Sequence, residues 1–161
     1  MLLTLKRVQN NTTNVIKSQY CYTVGMNVFC SYAYTGEDVE MVTKRMQLVV
    51  ETLKKAGHEV YCPLFDERVA SLQEAGDVKA IFVHAFEGIR RQDVLVVINS
   101  SDRRSEGQLM EIGAALSAGK PVYLMQHTTS VGLSYLPKLV TETHVWSSES
   151  ELSEQLRNLA V

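Results

Sequence analysis

The 161-residue sequence has little excess charge and lacks any long apolar run. Its formal net charge is −2 and its pI is about 6.1, which provides no electrostatic basis for wrapping nucleic acid or lying on an anionic membrane. None of its apolar runs is long enough to cross a bilayer. The composition therefore predicts a globular protein that binds neither nucleic acid nor a membrane.

Several motifs of common enzyme classes are also missing. The sequence has no GxGxxG, Walker A or GxSxG stretch, so dinucleotide redox chemistry, P-loop chemistry and α/β-hydrolase chemistry lack support. The four histidines are isolated from one another and form no HExxH pattern, so the sequence predicts no metal site. We expect the protein to work without a metal or another cofactor.

The cysteines are few and scattered. Their number is three, which is odd, and no pair has zinc-knuckle or CxxC spacing. Reduced thiols in a cytoplasmic protein are the expectation for such a set. The length suits one domain, which we place at residues 26–161. Residues 1–25 lack the continuous apolar core of a signal peptide and are interpreted as an N-terminal extension.

From residue 26 onward, strand patterns alternate with helix patterns. Helices are predicted over 35–57, 79–92, 106–119 and 149–160, with a polar loop from 66 to 77. The predicted strands are MNVFCSY, HEVYCP, DVLVVIN, KPVYLM and THVWS. This alternation predicts an α/β fold, a three-layer α/β/α sandwich with a five-stranded parallel sheet in flavodoxin-like or Rossmann-like order. Because such sheets bind ligands at the carboxyl ends of their strands, the loops at 32–37, 99–107 and 126–134 are the places to look for a site.

The loop after the DVLVVIN strand leads into a helix with a polar start. Ser105 and Gln108 match a capping box, with Ser105 at the N-cap. The free N–H groups at this helix end, with Gly107 beside them, could receive an anion or a sugar. Capping without a ligand is the more common role of such a serine.

Glu111 stands on the same helix among apolar and small residues. A helical wheel places Leu109, Ile112 and Leu116 toward the sheet and Glu111 nearly opposite, beside small residues. That position suits either a carboxylate at a helix-packed dimer interface with substrate above it, or an exposed glutamate on an alanine-rich helix. Spacing alone leaves both readings open.

The loop after the first strand contains two tyrosines. Tyr32 and Tyr34 stand where a strand of the predicted sheet ends, so their rings could stack on a base. Filling the core or an interface is the competing interpretation.

The stretch DVLVVINSSDRRSEGQLMEIGAALSAGKPVYLM resembles the nucleoside 2-deoxyribosyltransferase family, and is closest to its branch of 2′-deoxynucleoside 5′-monophosphate N-glycosidases. The shared pattern is an Asp-led strand, then x-Gly-x-x-x-Glu-x-Gly, a small-residue helix and Gly-Lys-Pro-Val. VFCSYAYTG and HVWSSESELSEQL resemble the family's first strand and its closing strand and helix. The resemblance covers most of residues 26–156.

The resemblance implies a role for several residues. Glu111 would be the nucleophile that attacks the anomeric carbon and forms a glycosyl-enzyme ester. Ser105 would bind phosphate where the transferases have an aspartate, and Ser134 would reach the phosphate in the adjoining subunit's site. Asp93, which leads the patterned strand, is counted with the substrate-binding residues, as are Gly107, Tyr32 and Tyr34.

Three positions depart from the family pattern. Ala85 stands where the family has an aspartate that helps to protonate the leaving base, and its neighbours His84 and Glu87 are candidate replacements. Tyr34 replaces an arginine of the first loop, and Val28 replaces a tyrosine of the first strand. Loss of a general acid costs roughly a factor of 10² to 10⁴ in rate.

These observations predict an enzyme, an N-glycosidase or a deoxyribosyltransferase. The predicted reaction is hydrolysis or transfer at the N-glycosidic bond of a (deoxy)nucleoside 5′-monophosphate by a homodimer that binds a small-molecule nucleotide or nucleoside. One alternative is a non-catalytic nucleotide-sensing module that uses the same pocket, and another is a scaffold in which the alanine-rich helix face serves dimerisation alone.

Overall fold

A computed structural model describes residues 25–132 and 135–159 as alternating strands and helices. The strands are β1 (Asn27–Tyr32), β2 (Glu59–Tyr61), β3 (Val94–Asn99), β4 (Val122–His127) and β5 (Glu142–Trp146). The helices are α1 (Val39–Lys55), α2 (Glu67–Glu74), α3 (Val78–Arg91), α4 (Glu106–Ser117) and α5 (Glu149–Arg157). Short 3-10 turns lie at Pro63–Phe65, Thr128–Ser130 and Leu136–Lys138.

The five strands form one parallel sheet in the order β2-β1-β3-β4-β5. This is the flavodoxin-like order, and it confirms the predicted fold class. The chain runs from β1 outward to β2 and then crosses to β3 on the other side of β1. The strand order therefore switches direction between β1 and β3, and a crevice is expected outside their carboxyl ends.

The core forms two layers, one on each face of the sheet. β3 runs through the middle, and all of its residues from Val94 to Ile98 are buried, as the continuous apolar run predicts. Even-numbered residues of β1, such as Val28 and Cys30, pack with α1 and α5, whereas Phe29 packs with α3 and α4. The alternation of side chains along a strand thus assigns each residue of β1 to one helical layer.

The stretch predicted as a polar loop between residues 66 and 77 contains a helix, α2, so that prediction is wrong. The Asp66 side chain caps the helix by accepting from the Arg68 N–H, and Val69 is buried beneath it. α2 is short and carries a single buried apolar residue, so its sequence shows no amphipathic period. The helix packs against α3, and this tertiary contact stabilises its helical conformation.

In the described ranges, none of the helices combines the length and the apolar character that a membrane span requires.

Candidate active site

A cavity of about 520 Å³ opens at the carboxyl end of β1, beside the first turns of α4. The β1–α1 loop contributes Tyr34 and Thr35, α3 contributes one wall, and the start of α4 contributes another. The cavity lies on the carboxyl side of the sheet, next to the switch in strand order where α/β folds bind ligands. Five of the lining residues are predicted site residues: Tyr32, Tyr34, Ser105, Gly107 and Glu111. A sixth, Ala85, stands where the family pattern has an aspartate.

Glu111 faces this cavity from the second turn of α4, and its carboxylate is hydrogen-bonded. Ser31 is buried near the carboxyl end of β1, and its hydroxyl donates to Oε2 of Glu111. Burial raises the pKa of Glu111 from 4.5 to about 7, and the Ser31 hydrogen bond opposes that rise. A carboxylate that is withdrawn from water and lines a cavity has the environment typical of a reactive group.

The helical wheel misplaced Glu111 relative to the sheet. The buried residues of α4 are Gln108, Ile112 and Ala115, whereas Leu116 is 38% exposed. Glu111 lies beside this buried stripe and reaches β1, so the expectation that it stands opposite the sheet is wrong. Ala115, and not Leu116, belongs to the core layer that α3 and α4 form against the sheet. The same contact excludes the reading of Glu111 as a freely solvated residue.

Ser105 caps α4 as predicted, but the capping box is only half formed. Its hydroxyl oxygen accepts from the backbone N–H of Gln108 at 3.3 Å. The Gln108 side chain does not return to the N-cap; instead it is buried and donates to the Ile98 carbonyl at 2.8 Å. The Gln108 amide pairs with this buried carbonyl because a buried polar group without a partner costs free energy. A free N–H group at the helix end can instead bind water.

Tyr32 and Tyr34 line the cavity together, with ring centroids 6.3 Å apart and planes nearly perpendicular. Burial raises the pKa of Tyr32 far above its ordinary value, and the nearby Cys62 and Glu111 raise it further. Tyr32 therefore keeps its proton at every physiological pH and can only act as a neutral donor or acceptor near the Glu111 carboxylate.

One of the predicted substrate-binding residues, Asp93, does not line the cavity. Asp93 lies at the amino end of β3, where its Oδ2 accepts from the backbone N–H and the side-chain amide of Asn27 at 2.8 and 2.9 Å. Ligands bind at the carboxyl ends of parallel strands, which is the opposite end of β3. The prediction that Asp93 binds substrate is therefore not retained. Ser134, together with residues 1–24 of the proposed extension, lies outside the described residues.

Arg104 was not anticipated from the sequence. It precedes the N-cap of α4, is exposed, and lines both the main cavity and a second, smaller one of about 70 Å³. Within residues 25–132 and 135–159 its guanidinium forms no ion pair. A free cation beside the N–H groups at the start of α4 makes this corner suited to an anion. The adjacent pair Arg103–Arg104, in the loop after a central strand, was the signal that could have revealed it.

A hydrogen-bonded cluster of three side chains also reaches the cavity. Tyr61 Oη donates to Asp66 Oδ2 at 2.6 Å, and His84 Nε2 lies 2.8 Å from Tyr61 Oη and 3.1 Å from Asp66 Oδ2. His84 lines the cavity on α3, next to the buried Ala85. Sequence alone could not reveal the cluster, because its members come from β2, the cap of α2 and α3.

Removing the Ser31 hydroxyl should raise the pKa of Glu111 further. In Ser31→Ala, the carboxylate loses a donor that stabilises its charged form, a loss of about 1–2 kcal/mol. The titration midpoint of Glu111, followed by carboxyl carbon NMR, should move to higher pH. Ser117→Ala, on the exposed end of α4, is the matched control and should leave the midpoint unchanged. An unchanged midpoint in Ser31→Ala would show that this hydrogen bond has no electrostatic role.

In the part of the chain that the structure describes, histidine, cysteine and acidic side chains form no group of three that could hold a metal ion.

A family model described as nucleoside 2-deoxyribosyltransferase matches residues 31–151, about three quarters of the chain. No match is found among the sequences of curated proteins.

Many solved structures are similar to this chain, among them the following three. The CMP N-glycosidase BcmB of Clostridium botulinum is 21% identical, with a TM-score of 0.57 and coverage of 84% of this chain and 99% of that one. A conserved protein from Enterococcus faecalis V583 is 15% identical, with a TM-score of 0.53 and coverage of 84% and 99%. A 2-deoxyribosyltransferase from Bacillus psychrosaccharolyticus is 17% identical, with a TM-score of 0.51 and coverage of 81% and 95%. At these identities the similarity concerns the fold.

Proposed function

The chain belongs to the nucleoside 2-deoxyribosyltransferase family, and from this premise we propose that it cleaves the N-glycosidic bond of a (deoxy)nucleoside 5′-monophosphate with Glu111 as nucleophile. The family and the fold support glycosyl transfer or hydrolysis at nucleosides in general. The finer proposal concerns the phosphate on the substrate and the residue that attacks the sugar.

The observation that carries the proposal is the environment of Glu111. Its carboxylate lines the cavity, is withdrawn from water and is held by the Ser31 hydroxyl. Burial raises the pKa of Glu111 to about 7, so its carboxyl group still ionises near neutral pH. The ionised form can attack the anomeric carbon, and partial desolvation leaves the carboxylate more nucleophilic than one in water.

The reaction then proceeds through a covalent ester in two displacements. A Glu111 oxygen bonds to C1′ as the bond from C1′ to the base breaks, and water or a second base later releases the sugar from Glu111. Tyr32, which keeps its proton and lines the same cavity, would donate a hydrogen bond to a sugar oxygen.

A 5′-phosphate fits the corner formed by Arg104, Ser105 and Gly107. These residues line the cavity at the start of α4, where backbone N–H groups and the helix dipole favour an anion. Arg104 adds a full positive charge and a geometry suited to phosphate oxygens. One structurally similar protein is a CMP N-glycosidase, and its substrate is a nucleoside monophosphate. These features support a nucleotide substrate over a free nucleoside.

We also propose a homodimer. Val83 on α3 and Met110 and Leu116 on α4 are 48%, 45% and 38% exposed, which gives the α3–α4 layer an apolar outer surface. Sedimentation velocity at micromolar concentration should give a dimer.

The buried, free thiols of Cys30 and Cys62 support a cytoplasmic location.

Incubation with a panel of ribonucleoside and deoxyribonucleoside monophosphates, followed by HPLC of the released base, tests the proposed function. We expect release of base from at least one monophosphate, faster than from the matching nucleoside. Ligand-induced thermal shifts without base release from any donor would instead indicate the nucleotide-sensing module. Absence of any binding at millimolar concentration would favour the scaffold.

Arg104→Gln should weaken selection for the phosphate. Losing a charged hydrogen-bond donor to phosphate should raise KM for the monophosphate roughly tenfold or more, with little change for the nucleoside. Arg90→Gln is the matched control, because Arg90 is exposed on α3 and does not line the cavity. An equal effect of Arg104→Gln on nucleotide and nucleoside would contradict a phosphate-binding role.

A further inference from the structure

The cavity contains a nucleophile but lacks a carboxylic acid at the position where the family pattern has one. Ala85 occupies that position, lines the cavity and cannot carry a proton. A base that departs from C1′ as an anion is a poor leaving group, so protonation of the base is expected to contribute a large factor to the rate. The proton must therefore come from another residue on the cavity wall.

His84 is the imidazole on that wall. Of the other ionisable side chains that line the cavity in the described part of the chain, Tyr32 keeps its proton because of burial, and Arg104 cannot lose its own. An imidazole, by contrast, can both donate and accept a proton at its ring nitrogens. Glu106 on α4 and Tyr34 in the β1–α1 loop also line the cavity, but neither lies on α3, the helix that carries Ala85. His84 is next to Ala85 on α3, so it approaches a bound base from the same wall as the missing aspartate would.

The hydrogen-bond geometry determines which nitrogen of His84 is protonated. Tyr61 has a single hydroxyl proton, and Asp66 Oδ2 accepts it at 2.6 Å. His84 Nε2 faces the oxygens of both Tyr61 and Asp66, so it must be the donor in these contacts. Nε2 therefore carries a hydrogen, and Nδ1 is the nitrogen that gains or loses the exchangeable proton.

Asp66 supplies the counter-charge for the protonated ring. The Tyr61 hydroxyl holds the pKa of Asp66 below its ordinary value, and the Arg68 backbone N–H and His84 contribute in the same direction. The carboxylate thus stays ionised and stabilises an imidazolium 3.1 Å away. Within the described residues nothing hydrogen-bonds to Nδ1, which leaves it available to a ligand.

We propose that His84, oriented by Asp66 and Tyr61, is the general acid that protonates the leaving base in place of the carboxylic acid. This inference rests on the proposed N-glycosidase function. His84 is the catalytic residue, and Asp66 and Tyr61 are positioning residues. The base would lie against apolar side chains of the cavity, Ile81 and Phe82 on α3 and Val69 on α2.

Over the two steps, His84 gives one proton to the base and receives one from water. In the first step, a Glu111 oxygen bonds to C1′ and the bond from C1′ to the base nitrogen breaks. The electron pair goes to the base, which takes the proton from His84 Nδ1. In the second step, water attacks C1′, the ester bond breaks and its electron pair returns to the Glu111 carboxylate. The proton released by the water goes to His84 Nδ1, which restores the starting state.

The test compares two leaving groups in His84→Gln. The first substrate is a nucleoside 5′-monophosphate that the wild-type protein cleaves, and the second is the same sugar 5-phosphate with 4-nitrophenol on C1. Nitrophenolate leaves without protonation, so only the first substrate needs the acid. Under single-turnover conditions, with enzyme in excess, only the first step is measured, and we expect base release to fall by roughly 10² to 10⁴-fold and nitrophenol release to change less than about threefold. Nitrophenol release also reports that the variant is folded.

Further variants separate the roles. Glu111→Gln should lose both reactions, and His144→Gln, on the edge strand β5, should lose neither. Asp66→Asn should reduce base release selectively and less severely than His84→Gln. An equal loss of both reactions in His84→Gln, or no loss of base release, would overturn the role of His84 while leaving the nucleophile in place. A wild-type protein that releases neither base nor nitrophenol would overturn the proposed function and this inference together.

Discussion

Glu111→Gln should lose essentially all glycosidic cleavage, with the rate of base release falling at least about a thousandfold. The amide keeps the size of the side chain and can still accept from Ser31, but it cannot form the ester with C1′. Removal of a catalytic nucleophile typically leaves only the residual rate from binding and positioning. Single-turnover HPLC of the released base, with enzyme in saturating excess over nucleotide, measures the loss without interference from product release.

Glu154→Gln is the matched control for this substitution. Glu154 is exposed on α5, on the other face of the sheet from α4, so its replacement should leave the rate within about twofold. Substantial base release by Glu111→Gln would rule out Glu111 as nucleophile. Tight nucleotide binding by the same variant, seen as a thermal shift, would show that the cavity remained intact.

The second large expected effect is a dependence of the free energy of unfolding on pH. The pKa of Glu111 is about 7 in the folded protein because of burial, against an ordinary value of 4.5. Below pH 4.5 the group is protonated in both states and does not penalise folding. As the pH rises toward 7, the unfolded chain releases the proton first, so the folded state becomes progressively less favoured. Above pH 7 the loss is complete, at roughly 3 kcal/mol.

Glu111→Gln should remove this loss because the amide does not ionise. The variant and the wild type should have similar free energies of unfolding near pH 4, and the variant should be more stable by roughly 3 kcal/mol at pH 8. Urea unfolding at pH 4, 6 and 8 measures the difference. Glu154→Gln should follow the wild type throughout. A difference between Glu111→Gln and the wild type that does not grow with pH would show that Glu111 is not desolvated in the folded protein.

Together these two predictions describe one trade-off. The same burial that makes the Glu111 carboxylate reactive also destabilises the folded protein near neutral pH. A substitution that improves stability and abolishes cleavage is the expected signature of a functional residue, whereas a structural glutamate would lose stability on the same change.

Much of the site was predictable because its signals are local. Ser105 was recognised as the cap of α4 from residues a few positions away, and the carboxyl-edge loops were identified from the order of strands. The orientation of Glu111 was not, because a helical wheel assigns leucines to the core by hydropathy alone. Ala115 and not Leu116 is buried against the sheet, and only the packed structure shows which face of α4 is turned inward.

The sequence by itself determined the alternation of strands and helices, the parallel sheet, and the presence of Glu111 and Ser105 on one strand–helix junction. Hydropathy period and helix caps act over a few residues, so a linear reading captures them. The tertiary structure alone decided which groups meet: Ser31 with Glu111, 80 residues apart, and Tyr61 and Asp66 with His84. Those pairs depend on strand order and helix packing, which bring distant parts of the chain to one edge of the sheet.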